Sequence, residues 1–390
     1  MTRMLTILHA SLLAAAAVTT AHAAKFKTIY TFQDQSDGLQ PAGSFVIANN
    51  TIYGGTAGSF AMGHFTCYTP ACGTAFSFDL SSAKLKTIYA FAENETLGFF
   101  AFSGVTQVGS LLYGINWNDD GYGNGLIFSV DPATGKEQTV SVIPSSLPNI
   151  PPFPGPISYN NQLYMIYTGG GDPQGGHNYG GILQIDPTSG EQTSLYEFQG
   201  QAGDGWYPLV PPIAANGKLY GVTTYGGAHT YGTVWQFDLT SGKESVLYSF
   251  TGGTDGKWPA GGLVADGTML YGTEGWGGKG FGSVWSLDTS SGSFSTLHAM
   301  NGGTEGGDPG ALTINNGKIY VSSLEGGTGD WGTLTSMDMS TGKTKLIHAF
   351  QGEADGIWPG TLVAYSGKVY GLTQTEYPFV WNGTLFEIDP

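Results

Sequence analysis

Five segments share the spacing Asp-Gly-x-x-Pro: Asp37 to Pro41, Asp204 to Pro208, Asp255 to Pro259, Asp355 to Pro359, and Glu305 to Pro309 with Glu replacing Asp. Aromatic residues enter these segments at Trp206, Tyr207, Trp258 and Trp358. A ring beside a carboxylate suits sugar recognition, since the ring stacks on the apolar sugar face and the acid accepts hydroxyls. Recurrence favours a plainer role, because a residue needed at every junction is usually part of the frame. The acids therefore read as turn formers and most of the tryptophans as packing. The aromatics before a recurrent Gly, Tyr179, Tyr231, Phe281 and Trp331, read the same way, and His298 and His348 stand where Tyr30, Tyr89, Tyr196 and Tyr248 stand in other copies.

Departures from the protein's own repeat are the sharper pointers. Three residues after a recurrent Tyr the copies read Thr56, Asn116, Tyr167, Thr223, Glu274, Ser323 and Thr373, a series that Glu274 breaks. Glu274 is either a solvated drift or a functional acid near the mouth of a channel. His177 and His229 occupy aligned loops, "GGHNYGG" and "GGAHTYGT", each two residues before a Tyr. Imidazole and phenol together could move protons, as a polysaccharide lyase requires, or bind a metal. Glu274, His177 and His229 are thus the catalytic candidates, and Trp276, Trp206, Tyr225 and Tyr231 the ligand-binding ones. A glycosidase would need two carboxylates about 5 to 10 Å apart, a pair that spacing along the chain does not supply.

An irregular sector adds the loop from Gly58 to Cys72 with His64, and "NWNDDGYGNG" with Asp119 and Asp120. The latter begins like a calcium loop, but Ile127 stands where the bidentate acid belongs, so no cofactor is expected and calcium is only a weak alternative. Cys67 and Cys72 are the only cysteines and read as a disulfide closing a small loop; no metal-ligand spacing competes.

The elements that position these residues come from an internal repeat. A Gly precedes an Asp by six residues seven times, from Gly73 and Asp79 to Gly383 and Asp389, at intervals of about 50 residues. The residues between alternate apolar and polar, the period of a half-buried strand. The Asp opens a turn such as "DPTSG". Each copy has an earlier "LYG"-like strand, and before that a weaker apolar segment, giving strands a, b and c. A strand d follows the turn in six copies, but the last copy stops at Asp389 and Pro390. The missing strand is "TIYTF" at 28 to 32, ahead of any strand a. A first strand that completes the last sheet closes a ring, which predicts an all-β, seven-bladed β-propeller of four-stranded blades. The long d-to-a and b-to-c connections share one face, where a ligand is expected.

The stretch "KLYGVTTYGGAHTYGTVWQFDLTSGKESVLYSFTGGTDGKWPAGGLVADGTMLYGT" resembles the GloVer tandem repeat of exported bacterial proteins, with its "LYGTT", "GGxxxxGTVF" and "LYSF-x-G-x-x-DG-x-x-P" pieces. The likeness is close over about residues 195 to 373 and looser before them. It implies export and propeller-like repeats, and no established activity.

Composition bounds the rest. Residues 1 to 23 read as a signal peptide, with Arg3, the run "LTILHASLLAAAAV" and small residues at Ala21 and Ala23. Residues 24 to 390 then form a single propeller domain, secreted or periplasmic, without membrane insertion or a C-terminal anchor. The net charge is -16 and Arg3 is the only arginine. Such a surface repels phosphate backbones, which disfavours nucleic acid, and it lacks the fork that grips carboxylates and phosphates. The expected partner is a neutral carbohydrate or other extracellular ligand bound without catalysis. The alternatives are a glycan-active hydrolase or lyase and an envelope protein-interaction scaffold; oligomeric state is not legible.

Overall fold

The computed structural model describes residues 24–33, 37–38, 40–57, 73–91, 104–117, 125–144, 155–169, 179–200, 203–277, 279–352, 355–374 and 383–390. Its strands form seven four-stranded antiparallel sheets, the blades of a β-propeller. Blade 5 shows the common order: strand a Leu263–Asp266, b Met269–Glu274, c Ser283–Asp288 and d Ser293–Ala299. Blade 7 takes a, b and c from Ile357–Tyr365, Lys368–Gln374 and Thr384–Asp389, and its d from Lys25–Thr31. Lys25 opposes Asp389, Thr31 opposes Thr384, and the Phe32 N–H reaches the Gly383 carbonyl at 3.0 Å. The expected ring closure is present.

Packing explains the "LYG" motif. The strand b Gly faces an aromatic ring on strand c in the pairs Gly54 and Phe76, Gly114 and Phe128, Gly221 and Trp235, Gly272 and Trp285, and Gly371 and Phe386. A Cβ on Gly221 or Gly272 would lie 2.2 Å from the opposing indole. Blades 3 and 6 lack the Gly and also lack the ring, pairing Met165 with Leu183 and Val321 with Thr335. The rings fill the seams between blades: Trp285 and Leu287 of blade 5 join Tyr220, Val222 and Phe250 of blade 4 in one cluster. Burial of these faces supplies the main drive for closing the ring.

The strand c Asp residues make the expected turns. Asp238 Oδ1 accepts the Thr240 and Ser241 N–H groups at 2.9 and 2.8 Å, and these bonds hold its carboxyl below the usual range. Asp288 and Asp338, bonded to serine and threonine hydroxyls as well, are lowered to about 2.

The Asp-Gly-x-x-Pro segment is one half of a latch between blades. Its acid accepts from the preceding strand d and the loop that follows it: Tyr248 Oη and the Thr251 N–H reach Asp255 at 2.9 and 2.8 Å. The histidines in the same strand position do likewise, His298 with Glu305 at 2.7 Å and His348 with Asp355 at 2.6 Å. The proline ring then lies over the strand c Gly of the previous blade. A Cβ at Gly180, Gly232, Gly282, Gly332 or Gly383 would come within 2.3 to 2.7 Å of Pro208, Pro259, Pro309, Pro359 or Pro41. The residue before each proline has positive φ, 53° at Gln40, 63° at Tyr207, 58° at Trp258, 48° at Asp308 and 49° at Trp358. That conformation is disfavoured before proline and costs about 1–3 kcal/mol. At Tyr207, Trp258, Asp308 and Trp358 a bond across the seam holds it, as where the Trp258 N–H reaches the Tyr231 carbonyl at 2.8 Å.

Candidate functional site

The d-to-a and b-to-c connections meet on one face, as blade 4 shows: Trp206 pairs with Tyr225 in a two-stranded ribbon, and Gly205 with Gly226. The ribbon and the strained turns together line up aromatic rings from blade to blade. Tyr179 meets Trp206 edge-on at 6.0 Å, and Trp206 stacks on Tyr225 at 4.5 Å. Tyr225 meets Trp258 at 6.4 Å, and Trp258 meets Trp276 at 6.4 Å. At the end of this arc a cleft of about 350 Å³ opens between blades 4, 5 and 6, walled by Tyr225, Trp258, Trp276, Asp308, Pro309 and Leu324 and floored by glycines. Rings and a carboxyl lining one cleft let it hold a ligand with both apolar faces and polar edges.

A second cavity of about 450 Å³ lies among the strands a and is walled mainly by proline, leucine, valine and glycine. Side-chain bonds to neighbouring backbone tighten this centre, such as Thr273 Oγ1 to the Gly310 carbonyl at 2.6 Å and Thr361 Oγ1 to the Gly43 carbonyl at 2.8 Å. It presents few groups that could orient a ligand, so the peripheral cleft is the better site.

The ligand candidates separate by exposure. Trp276 is 60% exposed, and Tyr225 is half-buried on the cleft wall. Trp206 stands behind Tyr225 with one face covered. Tyr231 is 36% exposed, and its ring covers Gly252, where a Cβ would sit 2.6 Å from it. Tyr231 thus shares the packing role of Tyr179 over Gly200 and Phe281 over Gly302. Trp258, expected to serve packing alone, also walls the cleft, with the Lys257 ammonium 4.1 Å from its ring centre.

Glu274 is neither solvated nor open at a channel mouth; it is 0% exposed. In blades 1, 4 and 7 its position holds a threonine bonded to a strand c threonine, as in Thr223 with Thr233 at 2.7 Å. In blade 5 the facing residue is Ser283, and the longer Glu274 side chain continues into the b-to-c loop. There Oε2 accepts the Trp276 N–H at 2.9 Å, and a Cβ on Gly256 or Gly277 would lie 2.3 or 2.0 Å from the carboxyl. Burial pushes this carboxyl up to about 7, against the pull of Ser283 and the N–H groups of Trp276 and Lys257. Ser283 Oγ and Glu274 Oε1 approach each other without a bond of good geometry. The residue therefore positions the loop that carries Trp276.

His229 is exposed in the b-to-c loop of blade 4. His177, Cys67, Cys72, His64, Asp119 and Asp120 lie outside the described residues, so the histidine pair, the disulfide and the weak calcium reading gain no geometry here. Among the described residues no cluster of three or more His, Cys, Asp or Glu side chains is placed to hold a metal.

Asp308 escaped the sequence reading. It stands where other junctions carry Gln40, Tyr207, Trp258 and Trp358, so it too breaks the repeat, though inside a motif whose recurrence suggested a framework role. Its carboxyl is half-buried and pushed upward by burial, with Oδ1 2.5 Å from where a Cβ on Gly275 would lie.

The fold has solved counterparts. Superposition matches 92% of the chain to the extracellular domain of a B. thetaiotaomicron protein described as a one-component system, with TM-score 0.56 and 11% identity. A second structure, described as the extracellular domain of a hybrid two-component system from the same organism, matches with TM-score 0.57 and 12% identity. The chain spans 40% and 39% of those two proteins. Likeness at this identity shows the propeller fold alone. No family model matches the sequence, and no curated protein matches it. No described helix is long and apolar enough to cross a membrane.

Proposed function

We propose that the protein is an exported propeller, secreted or periplasmic, that binds a carbohydrate on its loop face without transforming it, and that its repeat is of the GloVer type. The observation that carries this reading is the ring arc Trp206, Tyr225, Trp258 and Trp276, ending in a cleft that Asp308 also lines. Tyr225, backed by Trp206 at 4.5 Å, and Trp258 and Trp276, each 6.4 Å from the ring before it, offer a chain of sugars successive aromatic contacts. The leader-like first residues and the extracellular setting named for the structural counterparts support export. The chain has no arginine beyond Arg3 and a net charge of -16, which favours uncharged or cationic sugars over acidic ones.

Hydrolysis is the rival reading, because Asp308 and Glu274 both flank Gly275 and both are pushed upward by burial. Glu274 has no exposed surface, however, which leaves one carboxyl facing the cleft where the chemistry asks for two. Titration of a panel of neutral oligosaccharides, followed by tryptophan fluorescence and product analysis, tests the proposal. Saturable quenching without products is the expected result, lost in Trp276→Ala at an unchanged melting temperature. Silence across the panel would overturn binding of neutral sugars, and shortened products would favour the hydrolase.

A further inference from the structure

Asp308 gives the cleft a chemical preference that neutral sugars do not use. Its carboxyl forms no hydrogen bond or ion pair among the described residues, although it is half-buried. The ion pairs among the described residues, His298 with Glu305, His348 with Asp355 and Lys368 with Glu387, do not include it. Lys257, next to the cleft residue Trp258, sits over that ring. Burying a carboxylate without a partner is costly, and an incoming cation would offset that cost. The faces of Trp258, Trp276 and Tyr225 attract the same kind of charge.

Building on the carbohydrate reading, we infer that the cleft selects an amino sugar with a free, protonated amine, its ammonium on Asp308 and its pyranose ring against Trp276. Gly261, Gly275 and Gly310 also line the cleft, whose volume of about 350 Å³ has room for a pyranose ring. An acetylated amine would lose both the charge and two of the three donors, so the site distinguishes a glucosamine chain from its N-acetylated form.

The test compares a tetrasaccharide of β-1,4-linked glucosamine with its fully N-acetylated counterpart, by titration calorimetry at near-neutral pH and moderate salt. The free-amine form is expected to bind at least about tenfold tighter, the scale of one charge-assisted contact. Asp308→Asn should erase that ratio, chiefly by weakening the free-amine form. Asn tolerates the positive φ at this position, so the variant should keep the melting temperature of the parent. Equal binding of the two sugars would overturn the inference and leave the carbohydrate reading standing. A ratio that survives in Asp308→Asn would overturn it as well, by assigning the preference to the general charge of -16. Failure of both sugars and of the neutral panel would defeat the carbohydrate reading itself.

Discussion

Glu274→Gln should change how stability depends on pH. In the unfolded chain the carboxyl titrates near 4.5, and burial raises it to about 7 in the folded protein. Between those values the folded state keeps a proton that the unfolded state has lost. The stabilising contribution of the neutral acid is therefore fully present below 4.5 and is lost as pH rises through 7. A difference of about 2.5 units at 1.36 kcal/mol each amounts to roughly 3 kcal/mol above pH 7. With an unfolding entropy near 2.1 cal/mol/K per residue over about 360 residues, this equals about 4 °C in melting temperature. Gln has no charge to bury and keeps a carbonyl for the Trp276 N–H at 2.9 Å. The variant should thus match the parent near pH 4.5 and melt about 4 °C higher at pH 8, by scanning calorimetry at fixed ionic strength. Glu244, raised to about 7 by burial and by Asp204, acts in the same window and remains in both proteins, so the slope should be reduced but not abolished. Parallel curves for the two proteins, or a variant less stable at pH 8, would refute the buried-acid reasoning.

Deleting residues 25 to 32 should leave blade 7 with an open strand edge, so the truncated protein should aggregate or melt many degrees lower; a soluble product with the parent's melting temperature would contradict the closure. Gly232→Ala places a methyl 2.6 Å from Pro259 at φ 102°, and should cost about 2–4 kcal/mol in denaturant titration, whereas Gly242→Ala, with open space around it at φ 66°, should cost about 1 kcal/mol or so. Replacing Trp206, Trp258 and Trp276 singly by Ala sorts the arc: Trp276 should lose sugar binding alone, Trp258 should lose binding and stability together, and Trp206 should mainly lose stability through its stack with Tyr225. Mass spectrometry of unreduced exported protein should find Cys67 joined to Cys72, and two free thiols would refute that bond.

Much of the architecture was legible because the chain states it seven times. Alternating residues on strand c, the Asp that opens each turn and the displaced strand "TIYTF" each carry local physics, namely side-chain alternation, a carboxylate capping nearby N–H groups and an unpaired edge seeking a partner. Trp276 was also visible, since a tryptophan flanked by glycines in a long loop has little local packing, and it is exposed as expected. Glu274 stood out as a departure, but its exposure did not follow from its position. It is enclosed by the approach of Gly256 from the neighbouring loop together with Gly277 of its own. Asp308 lay hidden in a recurrent motif, and its meeting with Trp258 and Trp276 depends on three blades converging. Local sequence determined the blades, since strand period and turn chemistry act between near neighbours, and the closure of Lys25–Thr31 on Thr384–Asp389 was legible only because the last copy of the repeat lacks a strand. The cleft was decided by tertiary structure, because Tyr225, Trp258, Trp276 and Asp308 come together only when residues up to 83 positions apart are brought to one face by the ring.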